Sequence, residues 1–293
     1  MEKYAAPVED MSFILTNLLD IDNYLKSINN KELSFDSLKM IIEEAGKFAC
    51  DELDTINQVG DQKGIKLENG VVRMPESFIK AYKKFVNTGW FSIIGEKKYG
   101  GQDLPLSVVV MINEIWHSTN MSFATNNMLT QGAVELLESH GNEKQKEYYL
   151  PNLISGKWSG TMNLTEPHAG SDLSSIKTKA IEKDKKFLIK GTKIYITHGD
   201  QDMSDNIIHL VLAKLPNAPE GVRGISLFLV PKYYLNDKGT KVKNDIKVVS
   251  VEHKLGHNAS PTCVLSFGEN EGAIGELVGE PNQGLKAMFT MMN

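Results

Sequence analysis

Two hydrophobic periods divide this chain. From Val8 to about Gly156 the apolar residues recur at helical spacing: Phe13, Leu15, Leu18, Leu19 and Leu25, then Leu38, Ile41, Ile42, Ala45, Phe48 and Ala49. Pro75 reads as the first residue of a further helix with Phe78, Ile79, Tyr82 and Phe85 on one face and Gly89 at its end. Asp103-Leu104-Pro105 opens the most apolar segment, where Val108, Val109, Val110, Met111, Ile112, Ile115 and Trp116 read as buried nearly all round. From Trp158 to about Gly275 the period shortens. Phe187, Ile189, Ile194 and Ile196 form one arm of a hairpin facing 176–181, and 207–213 and 225–230 are short apolar runs bounded by Pro, Gly and Asn. Strands at this spacing predict a small barrel or sandwich. Past Pro281 the helical pattern resumes. The expectation is an α+β protein, an all-α N-terminal domain over 1–157 followed by a β-barrel or sandwich domain over 158–275.

Composition narrows the classes without naming one. A chain of 293 residues with 41% hydrophobic and 24% charged residues has room for a sizeable core and more than one domain. A net charge of −5 argues against nucleic acid or an anionic membrane as the main partner. Cys50 and Cys263 lie too far apart in sequence to suggest a disulfide framework or a zinc site. No apolar run approaches bilayer length, and the opening MEKYAAPVED lacks the pattern of a secretory signal. A cytoplasmic enzyme is the default expectation. No GxGxxG precedes a helix and no GxSxG occurs, which removes the usual nicotinamide fold and the hydrolase elbow.

The chemistry concentrates in Thr161–Gly199. An apolar run closes on Thr165-Glu166-Pro167 and enters the small-residue turn Ala169-Gly170-Ser171-Asp172. A Lys-rich hairpin tip at 183–186 leads to a second strand ending in Tyr195-Ile196-Thr197. Small residues let a bulky ligand lie against backbone, and hydroxyls direct hydrogen bonds at it. TEPHAGSD followed by GTKIYITHG resembles the paired signature of the flavin-dependent acyl-CoA dehydrogenases. EKKYGGQDLP, EKQKEYYLPNLISG, KLGHNAS and IGELVGEPNQG are similar to further motifs of that family in the same order. The opening Tyr4–Phe13 and the loop within YITHGDQDMSDN resemble the subgroup that contains 3-methylmercaptopropionyl-CoA dehydrogenases and some bacterial long-chain enzymes.

The resemblance implies FAD as cofactor and α,β-dehydrogenation of an acyl-CoA thioester, 3-methylmercaptopropionyl-CoA or a fatty acyl-CoA. Electrons would pass to an electron-transfer flavoprotein, and the full-length assembly would be a homodimer or homotetramer. It places Met162, Leu164 and Thr165 along the flavin ring, Gly170 and Ser171 at the diphosphate, and Tyr195, Ile196 and Thr197 on the opposite part of the ring. Ser171 would also touch the acyl-CoA. His168 stands where well-known members have Gly, and Tyr195 where they often have Trp. The family's catalytic Glu belongs to a third, helical domain. Residues 276–293 read as the start of that domain, and the apolar, uncapped ending GLKAMFTMMN suggests a chain cut short, inactive alone. An acyl-CoA oxidase, or a shortened non-catalytic paralogue that binds acyl-CoA or a partner subunit, is the alternative.

Plainer readings stand beside these. Thr165 and Thr197 also suit ordinary strands. Glu166-Pro167 is expected to shape its turn rather than act as a base. Lys214 is expected to be solvated, His253 and His257 to have structural or surface roles, and Met288, Met291 and Met292 to fill core.

Overall fold

A computed structural model describes residues 3–184, 186–236 and 238–292. Among these residues the first half holds seven α-helices: α1 (Val8–Phe13), α2 (Ile21–Ser27), α3 (Phe35–Phe48), α4 (Thr55–Lys63), α5 (Glu76–Asn87), α6 (Leu106–His140) and α7 (Glu143–Ile154). Capping residues set several boundaries. The Ser34 side chain accepts from the Ser37 N–H and Asn142 from that of Gln145, each as a reciprocal capping box. Pro75 proves to be the N-cap of α5 (φ −55°, ψ 138°), one residue before the helix rather than its first residue. Gly89 at φ 80° then takes the chain out of the helix.

Helix α6 doubles back on itself. Asn120 leaves the helical region (φ −152°, ψ 87°), and its side chain caps the second segment by accepting from the Phe123 N–H while donating to the Leu53 carbonyl. Asn113 and Gln131, 18 residues apart, consequently hydrogen-bond at 2.8 Å. The first segment is not buried all round: Leu106 and Val110 are 68% and 57% exposed, while Val108, Val109, Met111, Ile112, Ile115 and Trp116 are buried. Trp116 joins a cluster of rings with Phe48, Phe85 and Trp90 at centroid separations of 5.2–5.9 Å.

One feature of this half departs from the helical expectation. Strands β1 (Lys66–Glu68) and β2 (Val71–Arg73) form a hairpin around Asn69-Gly70, both at positive φ, the geometry an Asn-Gly turn favours. It is clipped to the far half of the chain. Val72 N–H donates to Asp200 Oδ2 at 2.8 Å, and Met74 N–H donates to Asp202 Oδ1 at 3.0 Å. These carboxylates lie in the polar loop that follows Thr197.

The second half contains β3 (Trp158–Asn163), β4 (Lys179–Lys183), β5 (Lys186–Thr197), β6 (Asn206–Lys214), β7 (Ile225–Pro231), β8 (Tyr233–Leu235), β9 (Lys241–Lys243), β10 (Ile246–Val251), β11 (Thr262–Phe267) and β12 (Ala273–Val278), then helix α8 (Gly284–Met292). The main sheet runs β10-β11-β5-β12-β7-β6-β3, and β4 pairs with both β5 and β6. The pairings β5-β12-β7-β6-β4-β5 therefore close a ring, sealed at Lys179↔Lys214. This is the small barrel that the strand spacing predicts. Strands β6 and β7 are buried on both faces, which explains their unbroken apolar runs. Val211, Ala213, Phe228 and Val230 face the barrel interior, and Leu210, Leu212, Leu227 and Leu229 face the helices.

The hairpin expectation holds for only part of β5. Phe187 and Ile189 lie opposite β4, whereas Ile196 pairs with Cys263 of β11. Helix α6 meets β3 where Gly160 allows it, since a Cβ there would come within 2.4 Å of the Ala133 Cβ. The tip at 183–186 turns through Asp184 at φ 52°; Lys185, part of that expectation, lies outside the described residues.

Candidate functional site

The turn after β3 is built around one buried carboxylate. Glu166 is 3% exposed. Its oxygens accept from the Lys177 N–H (2.7 Å), the Thr178 N–H (3.0 Å), the Thr178 hydroxyl (2.6 Å) and Lys193 Nζ (2.9 Å). Lys193, fully buried on β5, also donates to the Leu164 carbonyl at 2.8 Å. Burial alone would raise the Glu166 pKa; the Lys193 ammonium and the Thr178 and Lys177 donors outweigh it and hold the carboxyl below its ordinary range. Burial pulls Lys193 down to about 8 against the opposing pull of Glu166. The expectation that Glu166 shapes the turn agrees with this geometry; its buried partner Lys193 was not foreseen.

From this anchor the turn runs outward. Glu166 and Ala169 exchange backbone hydrogen bonds at 2.9 and 3.0 Å, so Pro167 and His168 form a tight loop. His168 Nε2 donates to the Ser175 carbonyl at 3.0 Å, which ties the loop to the segment after it. Gly170 and Ser171 are exposed, and among the described residues neither backbone N–H donates to a protein acceptor. A Cβ built at Gly170 would meet only Thr165 Cγ2, at 3.8 Å. Asp172 caps the following turn by accepting from the Ser174 N–H at 2.8 Å, and the Ser174 side chain together with that backbone bond lowers its pKa. Lys214 is not simply solvated: its Nζ donates to the Ser174 carbonyl at 2.7 Å.

Strand β5 supplies the opposite wall through an irregularity. Between Lys193 and Ile196 it places two residues where β11 places one between Cys263 and Leu265, a β-bulge. Tyr195 takes the extra place at φ 59°, and its ring is 61% exposed. A left-handed tyrosine costs on the order of 1 kcal/mol, and such strain gathers where a side chain must be re-aimed. Thr165 C=O accepts from the Ile194 N–H at 2.9 Å and joins the two walls.

These elements enclose a cleft of about 500 Å³. Met162, Leu164, Thr165, Gly170, Ser171, Tyr195 and Ile196 all line it. Thr197 does not: it is half-buried, opposite Thr262 in β11. Asp172, Leu173 and Val222 also contribute, as do Leu285, Phe289 and Met292 of α8. Met288 is core, as expected, but Met292 is half-exposed on the cleft wall. Apolar position alone does not separate these two methionines in sequence. An apolar floor, the exposed rings of Tyr195 and Phe289 and free N–H groups at one end suit a flat ligand with an anionic tail.

Among the described residues, no group of three or more His, Cys, Asp or Glu could hold a metal ion, and His253 and His257 are both exposed. Among the same residues no helix is long and apolar enough to cross a membrane.

Comparison with known proteins gives a consistent assignment. The N-terminal domain of acyl-CoA dehydrogenases matches residues 36–157, and the middle domain of acyl-CoA dehydrogenases matches residues 161–269. The 3-methylmercaptopropionyl-CoA dehydrogenase of Ruegeria pomeroyi is 45% identical over 99% of this chain and 49% of its own length. Among solved structures, an acyl-CoA dehydrogenase from Geobacillus kaustophilus aligns with a TM-score of 0.71 at 25% identity, over 89% of this chain and 63% of that one. An acyl-CoA dehydrogenase from Bacillus anthracis complexed with FAD shares the fold (TM-score 0.70, 23% identity, 89% of this chain and 41% of that one). The chain spans about half the length of the curated relatives it matches. It belongs to the acyl-CoA dehydrogenase family and carries the N-terminal helical and middle β-domains of that family.

Proposed function

We propose that the cleft between the Glu166 turn, the Tyr195 bulge and α8 is the flavin-binding face of an FAD-dependent acyl-CoA dehydrogenase. The observation that carries this reading is the pair of unengaged N–H groups at Gly170 and Ser171, beside an open Cβ position and next to an apolar floor. The residues fit the cofactor's parts. Met162, Leu164 and the Tyr195 ring offer surface to a flat ring system, with buried Ile196 behind them, and Thr165 offers a hydroxyl at its edge. Gly170 and Ser171 offer donors to a diphosphate. Ser171 is the residue of this set nearest in role to the acyl-CoA. When bound, the flavin supplies the acceptor for the β-hydride of the thioester.

The chain's own residues bind, orient and exclude water; none of them is assigned as the base. Asp172 is the one carboxylate among the described lining residues, and its bond to Ser174 keeps it a weak base. Proton abstraction therefore calls for a carboxylate that these residues do not supply, and the chain by itself is expected to be inactive. The substrate is an acyl-CoA, 3-methylmercaptopropionyl-CoA or a fatty acyl-CoA, a reading supported by the Ruegeria relative. An electron-transfer flavoprotein as acceptor, a homodimeric or homotetrameric full-length assembly, domain limits at 157 and 275 and a cytoplasmic location complete the proposal.

Gly170→Asp tests it. The backbone there tolerates a side chain, so folding is retained, but a carboxylate meets the proposed diphosphate. FAD titration followed by flavin fluorescence should show affinity falling tenfold or more, with an unchanged circular dichroism spectrum. Equal affinity in variant and parent would remove the diphosphate from this turn.

A further inference from the structure

A second cleft lies at the other end of the barrel, where α7 crosses the starts of β3 and β5 and the strand β8. Its volume is about 380 Å³, within the ~300–1,000 Å³ usual for small-molecule sites. We propose that it binds a purine nucleotide, with the base among Tyr148, Trp158 and Tyr233 and the phosphate at Lys144 and Lys186.

Rings come first in the argument. Tyr148 is 44% exposed and stands edge-on to Trp158 at 5.6 Å between centroids. Tyr149 lies beneath, 4.9 Å from Tyr148, with its hydroxyl donating to Glu276 Oε1 at 2.9 Å. Tyr233 faces them from β8 and is held there by Asn206, which donates to its carbonyl (2.8 Å) and accepts from its N–H (2.9 Å). A half-exposed aromatic wall on a fixed backbone offers π-faces without a collapse step, which lowers the ordering cost of stacking.

Charge decides the class of ligand. In a chain of net charge −5, this cleft is lined by Lys144 and Lys186, and Lys241 stands 4.6 Å from the Tyr233 ring centre, while nearby Lys232 is neutralised by Asp200. Glu276 is the single acid among the described lining residues, and it already accepts from Tyr149 and Gln145. A cationic guest would meet the two lining ammonium groups and one acid that is already engaged, which disfavours the quaternary-ammonium use of an aromatic cage. An anion carrying a planar base meets both features. Glu276 retains lone pairs that can accept from the exocyclic amine of adenine or guanine. The flavin cleft is a separate place: Lys186 and Tyr195 lie nine positions apart on β5, about 30 Å of extended strand at ~3.3 Å per residue.

Calorimetric titration of the full 293-residue chain with adenosine 5′-monophosphate tests the site, with inorganic phosphate as a second probe. Binding should weaken at least about tenfold in Tyr148→Ala and in Lys186→Glu, both exposed positions whose replacement leaves the fold intact, and should be unchanged in Tyr195→Ala. In the parent chain the nucleotide should also quench Trp158 emission. The proposal is overturned by an absence of binding at millimolar nucleotide. Loss of binding in Tyr195→Ala alone would place the nucleotide in the flavin cleft. Inorganic phosphate binding as tightly as the nucleotide would reduce the site to lysines meeting any anion.

Discussion

Strand β5 has two halves that follow different rules. Lys186–Lys190 pairs with β4 in unbroken register, and its middle, Phe187–Ile189, is flanked on the other side by β12. Lys193–Thr197 pairs with β11 alone along one side, and its other side is met by the Thr165 carbonyl. There the strand bulges, buries a lysine and turns a tyrosine outward. The regular half closes the barrel and has only to fill space. The irregular half has to present a ring and fix a turn, and each of those tasks breaks a rule that strands normally keep. Buried charge and left-handed backbone therefore mark where this strand stops being scaffold.

The sharpest way to break this contrast is to remove the buried ammonium. Lys193→Met should cost about 3–5 kcal/mol in urea unfolding, because Glu166 is left charged and unpaired. Lys190→Met, an exposed lysine three positions earlier, should cost close to nothing. Adding Glu166→Gln to Lys193→Met removes the unpaired charge but keeps an acceptor for the Lys177 and Thr178 donors, and should restore part of the loss; a double variant as unstable as the single one would show that the stranded charge is not the cause.

Next in size is an effect of pH at the end of the irregular half. His198 is fully buried, and desolvation pushes it down to about 4. The unfolded chain therefore binds more protons than the folded one between pH 6.5 and 4. Stability is complete above 6.5 and falls as pH drops through this window, by about 1.4 kcal/mol per unit for this residue. His209 on β6, pushed to about 3 by burial, adds a slope of the same sign. Unfolding at pH 6.5 and 5 should thus differ by about 2 kcal/mol less in His198→Gln than in the parent chain. Identical slopes would remove His198 from the account.

Smaller effects sharpen the comparison. Ile189→Val, in the regular half, should cost only about 1 kcal/mol, as a lost methyl in a closed core does. Tyr195→Gly should run the other way. Glycine relieves the left-handed strain, so the melting temperature should hold or rise by the equivalent of up to about 1 kcal/mol, while FAD affinity falls. A drop in melting temperature would mean that the ring supports the fold more than the ligand.

The barrel was legible because β6 and β7 carry apolar residues on both faces, and such runs are hard to read otherwise. Seven of the eight residues expected at the flavin surround the cleft, since they sit in two short segments that the fold brings together. Other features were hidden for definite reasons. Lysine is almost never fully buried, so Lys193 reads as surface until Glu166, 27 positions earlier, is found beside it. The extra residue at Tyr195 shifts the spacing of buried positions from even to odd, and Thr197 falls outside the cleft that alternation from Tyr195 would have it share. The break at Asn120 lies between two strongly helical patterns, and nothing in its neighbours announces it. The β1–β2 hairpin was signalled by Asn69-Gly70, but three-residue strands are too short to interrupt the helical period around them.

The clip between the hairpin and the loop after β5 bears on how the protein is made. Asp200 and Asp202 hold backbone groups that lie 128 residues earlier. At ~5–20 residues per second, the ribosome has run for about 6–25 s between exposing Val72 and delivering the carboxylate that receives it. Throughout that interval the helical half carries a short strand pair without its clasp. The clip between hairpin and loop is therefore secured only well after the helical half has emerged, and until then the hairpin's unclasped N–H groups are open to a nascent-chain chaperone.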